Sequence, residues 1–129
     1  MTMPSERTRS LRWGWELLSA IAEDPDVDGL IKQDAVALKA TYPPPELIAE
    51  LIEAEASGLP PAAAQSICAA ADLFNKLRLN HQGTEETRKD LIFTLRHYPA
   101  ANDMRLMGCE SAHFRITDWL LPEDWYQGR

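Results

Sequence analysis

Two side chains near the carboxyl end of the chain, Cys109 and His113, are of types and at a spacing that could bind a metal or catalyse a reaction. Four residues apart on a helix they would share one face, where they could supply two ligands of a zinc site. The same pair could act as a thiolate and its base, with Asp118 orienting the imidazole. The side chains that would complete a zinc site are scattered along the chain: Cys68, His81 and His97. Because these ligands are scattered and no oxyanion-binding glycine loop accompanies the pair, we predict no metal, no cofactor and no catalytic residue.

Aromatic residues are concentrated in the last segment, at Trp119, Trp125 and Tyr126. Trp and Tyr are enriched where protein interfaces concentrate their binding energy. A chain end has difficulty burying three large rings in its own fold, so these residues are candidates for contact with another protein or with a second copy. The alternative is that the segment folds back over the helices and closes the core.

Acidic residues dominate the first half of a chain whose net charge is -7. Between Trp13 and Ser57 the only bases are Lys32 and Lys39. An acidic surface disfavours broad contact with nucleic-acid phosphates, although solubility alone would also account for the excess. Three carboxylates on one helix face are candidates for binding a basic protein: Glu46, Glu50 and Glu53.

A small basic patch near the amino end supports an alternative function. Arg7, Arg9 and Arg12 precede or flank Trp13. Arginines that contact the backbone, together with a ring that stacks on bases, are typical of single-stranded nucleic-acid binding. No helix-turn-helix spacing accompanies the patch, so we regard nucleic acid as the less favoured partner.

The elements that position these residues are predicted to be helices throughout. Prolines, capping residues and apolar spacing predict helices that begin near Pro4, after Asp28, at Pro45, at Pro61 and after Thr84. We expect the third helix to run to Gly58 and a short sixth helix to begin at about Ala100. The predicted fold is all-α, a helical bundle of about six helices with a short aromatic tail, in a single domain over residues 1–129.

An internal repeat underlies this arrangement. Residues 16–48 align without a gap on residues 72–104, so that Tyr42 aligns with Tyr98, an offset of 56 residues. The identical pairs are Leu17 with Leu73, Asp34 with Asp90, Tyr42 with Tyr98 and Pro43 with Pro99, and the capping residues Asp28 and Thr84 coincide. The pattern predicts two related helical-hairpin units.

Two strings, MTMPSERTR at residues 1–9 and LRHYP at residues 95–99, carry a family resemblance. The chain resembles a group of short proteobacterial proteins that open with MTMPxERTR and carry LRHYP further on. In this chain the position expected for LRHYP holds KATYP, at residues 39–43, and the fuller match arrives one repeat later. The resemblance implies a bacterial origin and a helical-hairpin unit, and it implies no activity.

These observations predict a small acidic protein of bacterial or mobile-element origin that binds another protein and catalyses nothing. We expect an adaptor or an inhibitor that covers a basic, nucleic-acid-binding surface. A nucleic-acid-binding regulator and a structural homodimer are the alternatives. The sequence has no apolar run long enough to cross a membrane, no secretion signal and only two cysteines, so a cytoplasmic location is expected.

Overall fold

The computed structural model describes residues 2–99 and 115–124. The described residues form α1 (Pro4–Glu23), α2 (Gly29–Thr41), α3 (Pro45–Glu53), α4 (Pro61–Leu79), α5 (Glu85–His97) and a 3₁₀ helix (Ile116–Asp118). The all-α prediction is confirmed for this part of the chain. It holds five α-helices where about six were predicted, and the helix expected from Ala100 lies outside the described residues.

The third helix is shorter than predicted. It ends at Glu53 and not at Gly58, because Glu55 adopts a left-handed conformation with φ of 50°. The Ala56 N–H then turns back and donates to the Leu51 carbonyl at 3.1 Å, a hydrogen bond that closes helix ends. The apolar pattern could not reveal this stop, because no glycine or proline marks it.

Two helical hairpins make the core. The first consists of α1 and α2 and the second of α4 and α5, and they pack with α1 against α5 and α2 against α4. Side chains that are fully buried fill the space between them: Leu18, Ile21, Ile67, Phe74 and Leu77. Helix α3 and the 3₁₀ helix pack together, and α3 also contacts α1.

The boundaries of the two hairpins correspond. Helix α2 spans residues 29–41 and α5 spans residues 85–97, so both ends are shifted by 56. Helices α1 and α4 end at residues 23 and 79, which is the same shift. Asp28 caps α2 by accepting from the Leu30 N–H, and Thr84 caps α5 by accepting from the Thr87 N–H.

Two buried tyrosines at the centre of the bundle make reciprocal contacts. The Tyr42 hydroxyl donates to the Leu11 carbonyl at 2.8 Å, and the Tyr98 hydroxyl donates to the Ile67 carbonyl at 3.0 Å. Residues 11 and 67 are themselves 56 apart. The two hydroxyl oxygens lie 3.2 Å from each other. This reciprocity is the geometry of an approximate two-fold axis that passes between the rings.

The turns of the two hairpins are joined through the carboxylate of Asp24. Its oxygens accept from the Asp26 N–H at 2.8 Å and from the Thr84 N–H and hydroxyl at 2.9 and 3.2 Å. The Gly83 N–H also donates to the Asp26 carbonyl. Burial raises the pKa of the Asp24 carboxyl, but hydrogen bonds from Thr87, Thr84 and Asp26 lower it by more, so the pKa lies below its ordinary value.

Candidate protein-binding grooves

Helix α3 presents carboxylates to solvent and isoleucines to the core. Ile48 and Ile52 are 3% and 6% exposed. The three predicted binding residues of this helix are all exposed: Glu46, Glu50 and Glu53. The side chains that the sequence proposed for contact with a basic partner therefore lie at the surface.

A groove of about 620 Å³ runs between α1, α3 and the segment around Leu121; we call it the α1–α3 groove. Its apolar lining includes Leu11, Pro43, Pro45, Ile48, Ile52 and Leu121. Its charged lining consists of Arg12, Glu53, Glu55 and Glu123. A cavity of this size with apolar walls and a few charged groups has the usual character of a binding site.

The single base of this groove is already paired. Arg12 donates through Nε and Nη2 to the carboxylate of Glu123, at 2.9 and 2.8 Å, and through Nη1 to Glu16 at 3.0 Å. The Glu123 contact raises the pKa of Arg12 above its ordinary value. Glu53 and Glu55 have no ion-pair partner among the described residues. The edge of the groove is therefore net negative.

The arginines of the predicted nucleic-acid patch are engaged inside the molecule. Arg7 donates to the Trp119 carbonyl at 3.2 Å and lies over the Trp119 ring. Arg9 lies 5.1 Å from the centre of the Trp13 ring. Arg12 is neutralised by Glu123 and Glu16, whereas Arg7 and Arg9 keep their charge but are held against rings of the protein, which limits their contact with a phosphate backbone.

Trp119 does not lie on the surface, contrary to its predicted role in a contact with another protein. Its side chain is 6% exposed, and Ile116 and Leu120 beside it are fully buried. The Thr8 hydroxyl fastens this segment to α1 by donating to the Leu121 carbonyl at 2.6 Å. The segment around Trp119 therefore folds back over the helices and closes the core, which is the alternative that the sequence left open. The other two predicted contact residues, Trp125 and Tyr126, lie outside the described residues.

Two further grooves are equivalent to each other under the shift of 56. The α1–α5 groove, of about 420 Å³, is lined by Trp13, Glu16, Leu17, Ala20, Asp90, Phe93 and Thr94. The α2–α4 groove, also of about 420 Å³, is lined by Asp34, Ala37, Leu38, Ala69, Asp72, Leu73 and Lys76. Every lining residue of one groove has its counterpart in the other. Sequence reasoning missed both grooves, although the aligned Asp34 and Asp90 were a signal for them.

The candidate zinc and thiol chemistry gains no support within the described residues. Cys109 and His113 lie outside them. No group of three histidine, cysteine, aspartate or glutamate side chains in the described ranges is arranged to hold a metal ion. His97 instead lies 3.0 Å from Glu6 through Nε2, and Cys68 is half-buried in α4.

Comparisons of the chain with protein-family models, with curated proteins and with solved structures found no match. None of the helices in residues 2–99 and 115–124 is long and apolar enough to span a membrane.

Proposed function

We propose that this protein is a non-catalytic binding module that engages a basic segment of another protein in the α1–α3 groove. The observation that carries the proposal is an apolar groove whose edge holds the unpaired carboxylates of Glu53 and Glu55. The apolar walls would receive nonpolar side chains of the partner, and the carboxylates would pair with its lysines or arginines.

The exposed face of α3 extends this surface beyond the groove. Glu46 and Glu50 add negative charge beside Glu53, and all three are solvent-exposed. Complementary charges of this kind raise the rate of encounter and select the partner more than they raise the final affinity. Trp125 and Tyr126 follow Glu123 closely in sequence and stay predicted contacts for the same partner.

The biological role that fits this chemistry is an adaptor or an inhibitor that covers a basic surface used by its target to bind nucleic acid. The internal pairing of Arg7, Arg9 and Arg12 makes direct nucleic-acid binding the weaker alternative. A cytoplasmic location agrees with this role.

We also infer that the two hairpins descend from one duplicated unit. Support comes from the shared shift of the helix bounds and from the reciprocal tyrosine contacts. Support of a third kind comes from the residue-by-residue equivalence of the α1–α5 and α2–α4 grooves.

The test is an affinity capture from nuclease-treated lysate of the source organism, at low and high salt, with the wild type and Glu50→Lys/Glu53→Lys, of which Glu53 lines the groove. We expect a stoichiometric basic protein that binds the wild type at low salt and is lost at high salt, because contacts between exposed charges are screened. The charge-reversed variant should not retain it.

The matched control is Glu85→Lys/Glu86→Lys, which reverses two exposed acids in the first turn of α5 and changes the net charge equally. This control should retain the partner. Equal retention by the wild type and the α3 variant, or binding that does not depend on salt, would exclude the α1–α3 groove as the site.

A further inference from the structure

The α1–α5 groove differs from its equivalent in the side chains that face solvent. Three exchanges change the character of the lining, α1–α5 residue first: Trp13 for Ala69, Phe93 for Ala37 and Ala20 for Lys76. Two smaller differences are Glu16 for Asp72 and Thr94 for Leu38. One groove therefore has two aromatic rings and no base in its lining, whereas the other has two alanines and a lysine.

Packing does not account for the two rings. The α2–α4 groove has the same volume and joins the equivalent pair of helices with alanines at both positions. Phe93 is 45% exposed, so much of its apolar surface faces water, which is unfavourable. Rings that the core does not require, and that solvent disfavours, are typical of a surface that another molecule covers.

Both grooves keep a pair of carboxylates, Glu16 with Asp90 in one and Asp72 with Asp34 in the other. Within the described residues Asp90 has no ion-pair partner, and Glu16 shares Arg12 with Glu123. One guanidinium between two carboxylates leaves a net negative charge at that end. Aromatic faces beside one unpaired carboxylate and one shared carboxylate are complementary to a flat organic cation.

One face of Trp13 already binds such a cation. The Arg9 guanidinium carbon lies 5.1 Å from the centre of the ring, and Arg9 is not part of the lining of the groove. The ring itself belongs to that lining, so it offers further surface to a ligand there.

We propose that the α1–α5 groove binds an arginine side chain of the partner protein, stacked on Trp13 and Phe93 and donating hydrogen bonds to Asp90 and Glu16. Arginine fits this open groove because its planar guanidinium stacks on rings while its edge donates to carboxylates. A lysine ammonium is compact and strongly hydrated, and a quaternary ammonium has no hydrogen to donate to either carboxylate.

The inference rests on the proposed function only in that the cation belongs to a protein partner. The two sites are neighbours on α1, since Arg12 bridges Glu123 of the α1–α3 groove and Glu16 of the α1–α5 groove. A basic segment that crosses α1 would therefore reach both.

The test uses two blocked peptides, hexa-arginine and hexa-lysine, titrated calorimetrically into the full-length protein at low salt. The wild type should bind hexa-arginine more tightly than hexa-lysine. Trp13→Ala/Phe93→Ala changes no charge, so it keeps the long-range attraction and should lose roughly tenfold in affinity for hexa-arginine alone. Leu30→Ala/Ile92→Ala removes two exposed apolar side chains outside the groove and should bind like the wild type.

A gain of function completes the test. Ala37→Phe/Ala69→Trp/Lys76→Ala gives the α2–α4 groove the two rings of the other and removes its lysine, and it should add a second arginine-preferring site. Equal binding of the two peptides by the wild type, or no effect of Trp13→Ala/Phe93→Ala in a protein that melts as the wild type does, would overturn the proposal. Loss of partner capture on reversing the α3 charges, with no effect of removing the rings, would leave the proposed function standing without this site. If removing the rings weakens hexa-arginine binding while reversing the α3 charges does not affect partner capture, the arginine site stands and the proposed function does not.

Discussion

The hydroxyls of Tyr42 and Tyr98 have two protons for three close contacts. Each hydroxyl reaches a carbonyl oxygen, and the two oxygens lie 3.2 Å apart. At any moment one of the three contacts must lack a proton. Burial raises the pKa of both phenols, so neither ionises to relieve the arrangement. A group added beside the two hydroxyls would disturb these contacts and lower the stability of the protein.

Gly14→Ala adds such a group and should destabilise the protein. The new Cβ would meet the Tyr42 hydroxyl oxygen at 2.7 Å and Tyr98 Cε1 at 2.9 Å. Overpacking of this kind costs about 1–3 kcal/mol, whereas the gain in helix propensity is about 1 kcal/mol. Urea unfolding should show a net loss that is smaller when Gly14→Ala is made in a Tyr42→Phe background. A stabilised Gly14→Ala protein would contradict the close approach.

Trp119→Ala should reduce stability without changing the oligomeric state. The side chain is 6% exposed, and removing a buried tryptophan costs about 3–5 kcal/mol. Urea unfolding measures the loss, and light scattering below the transition reports the mass. A variant of unchanged stability that dissociated from a dimer would restore Trp119 to an interface.

At the scale of the elements, the turns between the paired helices hold the hairpins together through the carboxylate of Asp24. It lies in the turn after α1 and accepts from Thr84, the cap of α5. One buried side chain thus joins the turn after α1 to the start of α5. Its removal would leave N–H donors of two segments without their acceptor.

Asp24→Ala should therefore cost about 3 kcal/mol of unfolding free energy, because hydrogen bonds to charged groups are worth about 1.5–3 kcal/mol each. The folded-state pKa of Asp24 lies below the ordinary value of 3.8. The contribution is then complete above that value and is lost as the pH falls through the folded-state pKa. The urea midpoints of wild type and variant should differ by a constant amount above pH 3.8 and draw closer below it, as the pH approaches the folded-state pKa. A difference that widened below pH 3.8 would contradict a lowered pKa of Asp24.

Local signals in the sequence predicted the helices well. Asp28 and Thr84 cap the helices they were expected to cap, and the tyrosine of each Tyr-Pro pair directly follows the last helical residue. The stop after Glu53 was missed because it depends on a left-handed glutamate. The contact between the two tyrosines was also out of reach, since spacing along the chain does not tell which helices pack together.

The candidate site was predicted in part, for similar reasons. The exposed acids of α3 follow from helical periodicity, and Glu46, Glu50 and Glu53 lie where it put them. Trp119 was misplaced because its burial depends on Arg7 and Thr8, more than a hundred residues away in sequence. The α1–α5 groove needs Trp13 and Phe93 on adjacent helices of different hairpins, which only the packing reveals.

At the scale of the molecule, four of the described bases lie against the protein's own rings or carboxylates. Arg7, Arg9 and Lys39 lie over Trp119, Trp13 and Trp15, and Arg12 is held by two glutamates. Burial beside Trp15 lowers the pKa of Lys39. The bases around α1 are therefore held by the protein itself, while Glu53, Glu55 and Asp90 have no ion-pair partner among the described residues.

The two-fold relation within one continuous chain also bears on how this protein can change over generations. In a dimer of two identical hairpins, a single codon change would alter both copies of a groove. A substitution that is harmful in one copy would then act in both. Here Trp13 and Ala69 are encoded separately, as are Phe93 and Ala37. A new surface on one half can thus be selected while the lining of the other half stays unchanged.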